Sequence, residues 1–160
     1  MGFSTADLCD AYPDLVQVVE PIFRVYGGQV AFSGPIETLK VFEDNALVRE
    51  ALEGSGQGRV LVVDGGGSLR CALLGGRLGY LAHSNGWSGV LIHGAVRDAA
   101  ELSQLPIGIR AMSAMPRRSE KQGQGERGGP LVFAGVTFKP KMYLYADDDG
   151  VLIAERNLLE

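Results

Sequence analysis

Cysteine is scarce in this sequence, and long apolar runs are missing. The 160 residues include two cysteines, Cys9 and Cys71, which lie far apart and form no CxxC pair. Neither a disulfide framework nor a cysteine-based zinc site is indicated, so both are expected to be free thiols. No apolar run approaches the roughly 20 residues that a membrane-spanning helix needs. The first residues lack the basic and apolar regions of a signal peptide, so a cytoplasmic location is expected.

Positive charge is also in short supply. The formal net charge is −4 at pH 7. Broad binding to a nucleic-acid backbone needs a basic surface, so nucleic acid is not expected as a direct partner. The content of 46% hydrophobic and 21% charged residues is that of a globular protein. The length suits one domain with a full core and is too short for two ordinary domains.

Several catalytic signatures are missing. The triple glycine after Asp64 lacks the lysine and Ser/Thr of a P-loop, and it lacks the spacing of a dinucleotide fingerprint. Ser68 and Ser84 have no nucleophile-elbow context. His83 and His93 have no partner at metal-ligand spacing, which favours structural roles. The lysines lie in polar or edge-like settings, so a Schiff-base mechanism is not indicated.

What the sequence does contain is a central βαβ pattern over residues 60–101. Residues 60–63 and 90–92 are short, nearly uninterrupted apolar runs rich in β-branched side chains, which predicts strands buried on both faces. Each run leads into a glycine-bearing turn and then a helical pattern. Residues just after the ends of such strands are placed to contact a ligand.

The rest of the chain predicts a mixed α/β domain with about seven or eight strands and three or four helices, the helices mostly early and the strands late. Helices are expected at 5–12 and 45–53, and strands at 32–42, 107–115, 133–138, 142–146 and 151–154, with a strand or ordered arm at 21–26. The polar, glycine-rich residues 117–130 are interpreted as an exposed loop, and a solvated connection is favoured over a substrate lid. The sequence DDDG at 147–150 predicts a tight turn rather than a calcium loop.

The first candidate site is the glycine pair Gly75 and Gly76 together with Arg77 and Leu78. A helical pattern begins directly after the glycines, so free backbone amides at a helix N-terminus would seat an anionic group such as a carboxylate. The alternative is that the glycines only interrupt one long helix that begins at Ser68. Periodicity supports the two interpretations equally.

The second candidate site is the pair Arg97 and Asp98, which follows the strand at 90–92 across an expected turn at 93–96. Arginine can bind a carboxylate through two charge-assisted hydrogen bonds, and aspartate can hold a hard divalent cation. Asp98 and Glu101 also have the spacing of a helix capping box, with Asp98 as N-cap and Glu101 reaching back. Spacing alone favours the cap, and both roles are compatible if each uses one carboxylate oxygen.

Several segments, in this order, resemble the family of 4-hydroxy-4-methyl-2-oxoglutarate aldolases and the regulator of ribonuclease E activity A. They are TADLCDAYPD, VLVVDGGGSLRCALLGG, NGWSGVLIHGAVRD, IGIRAM, FAGVTFKP and YLYADDDGVLIA. The resemblance covers nearly the whole chain. It implies one RraA-like domain over residues 1–160, of the swivelling β/β/α type, that assembles into a ring-shaped homotrimer with sites at the subunit boundaries.

The resemblance also implies roles for the two candidate sites. Enzyme members carry a glycine, twenty intervening residues, Arg-Asp and then an acidic residue three positions after the aspartate, and Gly76, Arg97, Asp98 and Glu101 match this pattern. Arg97, Asp98 and Glu101 are accordingly the expected catalytic residues, and Asp98 is the expected ligand of Mg²⁺ or Mn²⁺. The residues expected to bind substrate are Gly75, Gly76, Arg77, Leu78 and Arg97.

The activity implied is that of a class II aldolase that releases pyruvate from 4-hydroxy-4-methyl-2-oxoglutarate or a related 4-hydroxy-4-carboxy-2-oxo acid. Cleavage leaves an enolate whose charge Arg97 and the metal would stabilise, while Glu101 is expected to position a water molecule. Oxaloacetate decarboxylation passes through the same enolate and is expected as a second activity. The alternative is a regulator that binds and inhibits ribonuclease E. Members with that role can lack the aspartate, so Asp98 favours the enzyme.

Overall fold

The computed structural model describes residues 2–159, which form a mixed α/β domain around a ten-stranded sheet. The helices are α1 (Thr5–Ala11), α2 (Ala46–Glu53), α3 (Gly76–Ser84) and α4 (Ala99–Leu102). The strands are β1 (Val16–Val18), β2 (Arg24–Val25), β3 (Phe32–Lys40), β4 (Val60–Asp64), β5 (Ala72–Leu74), β6 (Gly89–Val96), β7 (Gly108–Ala114), β8 (Glu126–Arg127), β9 (Leu131–Phe133), β10 (Val136–Phe138), β11 (Tyr143–Asp147) and β12 (Gly150–Ala154). None of the helices within this range is long and apolar enough to cross a membrane.

The centre of the sheet is parallel and its flanks are antiparallel. Strands β3, β4, β6 and β7 are parallel neighbours. Strands β11, β12 and β1 extend the sheet antiparallel beyond β3, and β2 pairs antiparallel with β7. The short β5 pairs parallel with β6, and β8 pairs with β3. Parallel strands end at the same edge of a sheet, so the residues that follow β5 and β6 lie side by side.

Two hydrophobic cores lie on opposite faces of the central strands. Leu61 and Val63 of β4 face the helical layer, where they join Leu52 and Leu102. Val60 and Val62 of the same strand face the other layer, which contains Phe32 and the β9–β10 hairpin. Covering both faces of β4 explains why it is an uninterrupted apolar run. A third, smaller cluster forms where Leu8 of α1 packs on β11 and β12.

The structure confirms the predicted mixed α/β domain and corrects several of its boundaries. The helices expected at 5–12 and 45–53 are α1 and α2. The turn expected at 93–96 is wrong, because β6 continues through these residues to Val96 with a register irregularity between Ile92 and Ala95. Twelve strands, rather than seven or eight, occur within residues 2–159, because six have only two or three residues. Four of these pair with longer strands, and the other two, β9 and β10, pair with each other.

The segment 133–138 is a hairpin turn rather than one strand. Phe133 pairs with Val136, and the two residues between them, Ala134 and Gly135, both have positive φ, at 52° and 78°. This is the backbone of a two-residue hairpin loop. The turn expected at 147–150 is confirmed, since Asp147 and Gly150 are cross-strand partners. Residues 117–130 are largely exposed, as expected, but include β8.

Candidate active site

A cavity of about 580 Å³ opens at the ends of β5 and β6. Six of the seven predicted site residues line it, namely Gly75, Arg77, Leu78, Arg97, Asp98 and Glu101. The seventh, Gly76, is buried and contacts two of the six. The two candidate sites in the sequence are therefore one site in the folded chain.

The pairing of β5 with β6 brings the two sequence segments together. Leu74 is the register partner of Val96, and the Arg97 amide donates a hydrogen bond of 2.9 Å to the Leu74 carbonyl. The next residue along β5 is Gly75, so Gly75 lies beside Arg97. A side chain at Gly75 would meet Arg97 and Asp98, with an added Cβ only 2.7 Å from Asp98 Oδ2.

Gly76 contacts both Asp98 and Glu101. The Gly76 amide donates a 2.9 Å hydrogen bond to Asp98 Oδ2. A Cβ placed on Gly76 would overlap the carboxylate of Glu101. The spacing of glycine, twenty residues, Arg-Asp and acidic residue thus has a physical meaning, since only glycine leaves room for both carboxylates against the start of α3.

Asp98 adopts a left-handed backbone conformation, with φ 59° and ψ 43°. This region costs a side-chain-bearing residue of order 1 kcal/mol, although aspartate tolerates it better than most residues. The Asp98 side chain makes no capping hydrogen bond to its own helix, α4, and bonds to Gly76 of α3 instead. The predicted capping box is therefore wrong, because the carboxylate caps the neighbouring helix.

Helix α3 begins at Gly76, which confirms the prediction of a helix N-terminus after the paired glycines. The alternative, one long helix from Ser68, is wrong because β5 occupies residues 72–74. The first amides of an α-helix have no acceptor within the helix. The Gly76 amide is taken by Asp98, while Arg77 and Leu78 line the cavity with the positive end of the helix dipole behind them.

The cavity is strongly cationic in a chain whose net charge is −4. Its charged lining consists of two carboxylates, Asp98 and Glu101, and five cations, Arg49, Arg77, Arg97, Arg118 and Lys121. This excess of positive charge favours a small ligand with more than one negative charge, since opposite charges attract strongly in a partly desolvated cleft.

Sequence reasoning missed the cavity residues Asn45, Arg49, Arg118, Ser119 and Lys121. Residues 118–121 lie in the segment interpreted as a solvated loop. In the structure Arg118, Ser119 and Lys121 of this segment line the cavity. Lys121 Nζ donates to Asn45 Oδ1 at 3.4 Å, and Asn45 Nδ2 donates to the Leu73 carbonyl at 3.3 Å. The concentration of arginine and lysine in residues 117–121 was the one available signal.

His93 has a structural setting, as predicted. His93 Nδ1 lies 3.2 Å from Asp64 Oδ1, and its ring stacks on Phe133 with a centroid distance of 4.5 Å. His83 is exposed on α3. Both cysteines are free, and burial raises the pKa of the Cys71 thiol, so a reactive thiolate is disfavoured.

The carboxylates of the cavity suit a hard divalent cation. Asp98 is exposed to solvent, and its Oδ2 is engaged by the Gly76 amide. Over the described part of the chain, no group of three or more His, Cys, Asp or Glu side chains is placed to hold a metal ion. Mg²⁺ typically binds one or two carboxylates and completes its shell with water and substrate oxygens, so a site based on Asp98 fits this chemistry.

Fold and cavity together define a mixed α/β domain with a cationic cavity that also contains two carboxylates. The model of the RraA-like family, described as Aldolase/RraA, matches residues 5–153. The chain belongs to this family.

Relatives of known sequence or structure match nearly the whole chain. A protein of Burkholderia multivorans, provisionally named 4-hydroxy-4-methyl-2-oxoglutarate aldolase, is 55% identical over 99% of both chains. The RNA-processing inhibitor RraA from Thermus thermophilis is 50% identical, with a TM-score of 0.94 over 98% of this chain and 94% of that one. A structure described as S-adenosylmethionine:2-dimethylmenaquinone methyltransferase from Geobacillus kaustophilus HTA426 is 54% identical, with a TM-score of 0.96 over 98% of both chains. These three names describe three different activities, and a shared fold does not decide among them.

Proposed function

We propose that the protein is a divalent-metal-dependent aldolase that cleaves 4-hydroxy-4-methyl-2-oxoglutarate, or a related 4-hydroxy-4-carboxy-2-oxo acid, to pyruvate, and that also decarboxylates oxaloacetate. The observation that carries this proposal is the contact of Gly76, Asp98 and Glu101 beside Arg97 in one cationic cavity. The aldolase name of the Burkholderia relative, at 55% identity, supports the same reaction class.

The cationic groups of the cavity would bind and orient the substrate. The substrate has two or more carboxylates, and the cavity offers Arg97, Arg77 at the start of α3, and the cations Arg118 and Lys121. Arginine binds a carboxylate through two parallel hydrogen bonds, which fixes the plane of the 2-oxo acid. Binding both ends of the substrate would place its central C–C bond over Asp98 and Glu101.

Asp98 would hold the divalent cation, with Glu101 nearby, and the cation supplies Lewis acidity toward the 2-oxo group. During cleavage the C4 hydroxyl loses its proton, the C3–C4 bond breaks, and the bonding electrons move to the oxygen of the 2-oxo group. Arg97 is placed to stabilise the negative charge that develops there. Glu101 would hold the water that takes or returns the proton. Oxaloacetate loses carbon dioxide to give the same enolate.

The first test is pyruvate release from 4-hydroxy-4-methyl-2-oxoglutarate and from oxaloacetate, with Mg²⁺ or Mn²⁺ and with EDTA. We expect turnover that requires the metal and that falls by about a hundredfold or more in Asp98→Ala and Asp98→Asn, because both variants lack the carboxylate. Asp98→Asn keeps an acceptor for the Gly76 amide and so controls for structure. Full metal-dependent activity in either variant would rule out the assigned role of Asp98.

The alternative function is inhibition of an RNA-processing nuclease by binding to it. The observation that favours it is the 50% identity to the Thermus inhibitor over nearly the whole chain. A protein with this function alone would release no pyruvate with any metal and would bind and inhibit ribonuclease E. Inhibition by binding alone does not require the left-handed backbone of Asp98 or a carboxylate in the lining of a cationic cavity. The aldolase is therefore the first proposal.

Methyl transfer receives no support from the cavity. S-adenosylmethionine carries a sulfonium cation at its reacting centre, and five cationic side chains line this cavity against two carboxylates. Like charges in a cleft disfavour binding of that cofactor.

We also propose that the chain forms a homotrimer. Large apolar side chains are exposed at several places, among them Val132, Val18 and Phe42, and subunit contacts would remove them from water. The mass of the purified protein in solution, measured by light scattering, tests this proposal.

A further inference from the structure

Asp44 is a buried carboxylate that lies beside the cavity but does not line it. It is 3% exposed and sits between β3 and α2. Its Oδ1 accepts hydrogen bonds from the amides of Ala46 at 3.0 Å and Gly123 at 3.3 Å, and its Oδ2 accepts from Gln122 at 2.9 Å and Gln124 at 3.2 Å. Three of the four donors, residues 122–124, belong to the loop that carries the cavity-lining residues Arg118, Ser119 and Lys121.

The charge of Asp44 suits these four donors. Burial alone would raise the pKa of Asp44, but the backbone amides that donate to the carboxylate outweigh burial and hold its pKa below the ordinary value. The side chain is therefore an anion at neutral pH and accepts only. An amide side chain at this position would direct an NH₂ group toward backbone N–H donors.

The loop that Asp44 holds carries the cavity's outer cations. Arg118, Ser119 and Lys121 line the cavity, and residues 120–128 are all exposed to solvent. Apolar packing therefore contributes little to the position of this segment. Its start is also held by backbone hydrogen bonds from Ala72 to the Arg117 carbonyl, from Asn45 to the Glu120 carbonyl and from Glu120 to the Glu43 carbonyl, and its end by the pairing of β8 with β3. Between these two ends, the amides of residues 122–124 donate to Asp44.

We propose that Asp44 is a positioning residue that fixes the loop at residues 122–124 and so holds Lys121 and Arg118 over the cavity. Asp44 thereby sets the affinity for the anionic substrate without taking part in the chemistry at Asp98. The inference rests on the proposed function in so far as the ligand is an anionic 2-oxo acid. The hydrogen bonds from residues 122–124 to Asp44 lie within this chain, so their effect on the loop is measurable without any ligand.

The test compares Asp44→Asn with Asp147→Asn. Asp147 is a matched control because its carboxylate also fixes a distant segment, accepting from the amide of Thr5 at 2.7 Å, the hydroxyl of Thr5 at 2.6 Å and the amide of Asp149 at 3.0 Å, remote from the cavity lining. In Asp44→Asn we expect KM to rise by about tenfold while kcat changes less than about twofold, because lost positioning weakens binding more than chemistry. In Asp147→Asn we expect KM close to that of the wild type.

A second readout does not depend on activity. Trypsin cleaves after arginine and lysine, and the loop offers Arg117, Arg118, Lys121 and Arg127. We expect cleavage at these sites, and hydrogen exchange of the amides of residues 122–124, to be about tenfold faster in Asp44→Asn than in Asp147→Asn, because the loop opens locally. Equal loop protection in the two variants would overturn the proposal, as would an unchanged KM in Asp44→Asn.

The two proposals fail in distinguishable ways. If the wild type releases no pyruvate from any 2-oxo acid, the proposed function is wrong. Trypsin cleavage and hydrogen exchange of the loop then decide whether Asp44 fixes residues 122–124. If the wild type is active and Asp44→Asn lowers kcat with KM unchanged, the aldolase stands and the positioning role of Asp44 is wrong.

Discussion

At the scale of single residues, the site depends on the absence of a side chain at Gly76. Gly76 allows two carboxylates to approach the start of α3, because its amide binds Asp98 and the space for a Cβ is filled by Glu101. The backbone of Gly76 is ordinary helix, so glycine is required for room and not for conformation. The conformational demand falls on Asp98 instead, which adopts the left-handed region.

Gly76→Ala should lower the activity without lowering the stability of the fold. The added methyl group would overlap the carboxylate of Glu101, which is the far end of a flexible and exposed side chain and can move away. Alanine is favoured over glycine within a helix by up to about 1 kcal/mol, so the melting temperature should stay or rise. Pyruvate formation should fall by about tenfold or more because Glu101 is displaced. Thermal unfolding and steady-state kinetics on one preparation measure both.

At the scale of elements, α3 is fixed by its contact with α4. Gly79, one turn after Gly76, faces the packed side chains of Leu102 and Leu105, and an added Cβ would lie 2.6 Å from Leu102 Cδ2 and 3.0 Å from Leu105 Cδ1. Leu102 is fully buried. Because α4 has only four residues, close packing at its end holds the whole helix, and with it Asp98 and Glu101, against α3.

Gly79→Ala should therefore show the opposite pattern to Gly76→Ala. Overpacking between α3 and α4 should lower the free energy of unfolding by about 1–3 kcal/mol, despite the better helix propensity of alanine. Urea denaturation of the two variants beside the wild type measures this difference. Equal stability of Gly79→Ala and Gly76→Ala would show that the interface between the helices adapts freely.

The same elements show what the sequence could and could not predict. Strands β4 and β6 and the start of α3 follow from apolar runs and paired glycines, which are local signals. Strand β5 has three residues and exists because it pairs with β6, so no local pattern marks it. The motif residues of the site were predictable from their spacing and family resemblance, whereas Arg118 and Lys121 were not, because their loop is placed by hydrogen bonds to Asp44 about 80 residues earlier in the chain.

At the scale of the whole molecule, buried or half-buried carboxylates with strong hydrogen bonds link stability to pH. For Asp44 and Asp147, burial would raise the pKa, but the hydrogen bonds each accepts hold it below the ordinary value. The unfolded chain, in which aspartate has a pKa near about 3.9, then binds protons more readily than the folded chain. Both carboxylates stabilise the fold above that pH, and the contribution is lost as pH falls toward the folded pKa values.

We therefore expect the free energy of unfolding to decline as the pH is lowered below about 4, with a smaller decline in Asp44→Asn and in Asp147→Asn than in the wild type. Urea unfolding between pH 7 and pH 3 measures this slope. Identical slopes in all three proteins would contradict the role of these carboxylates.

Strands β4 and β6 contribute side chains to both hydrophobic cores, and this affects how the protein unfolds. Alternate residues of β4 belong to opposite layers. Loss of the helical layer would expose one face of β4 to water, while the β9–β10 hairpin packs on the other face. We therefore expect that neither layer persists alone and that the domain unfolds as a single cooperative unit. One unfolding transition should be observed by fluorescence of Trp87, which lies in the helical layer, and by circular dichroism of the sheet.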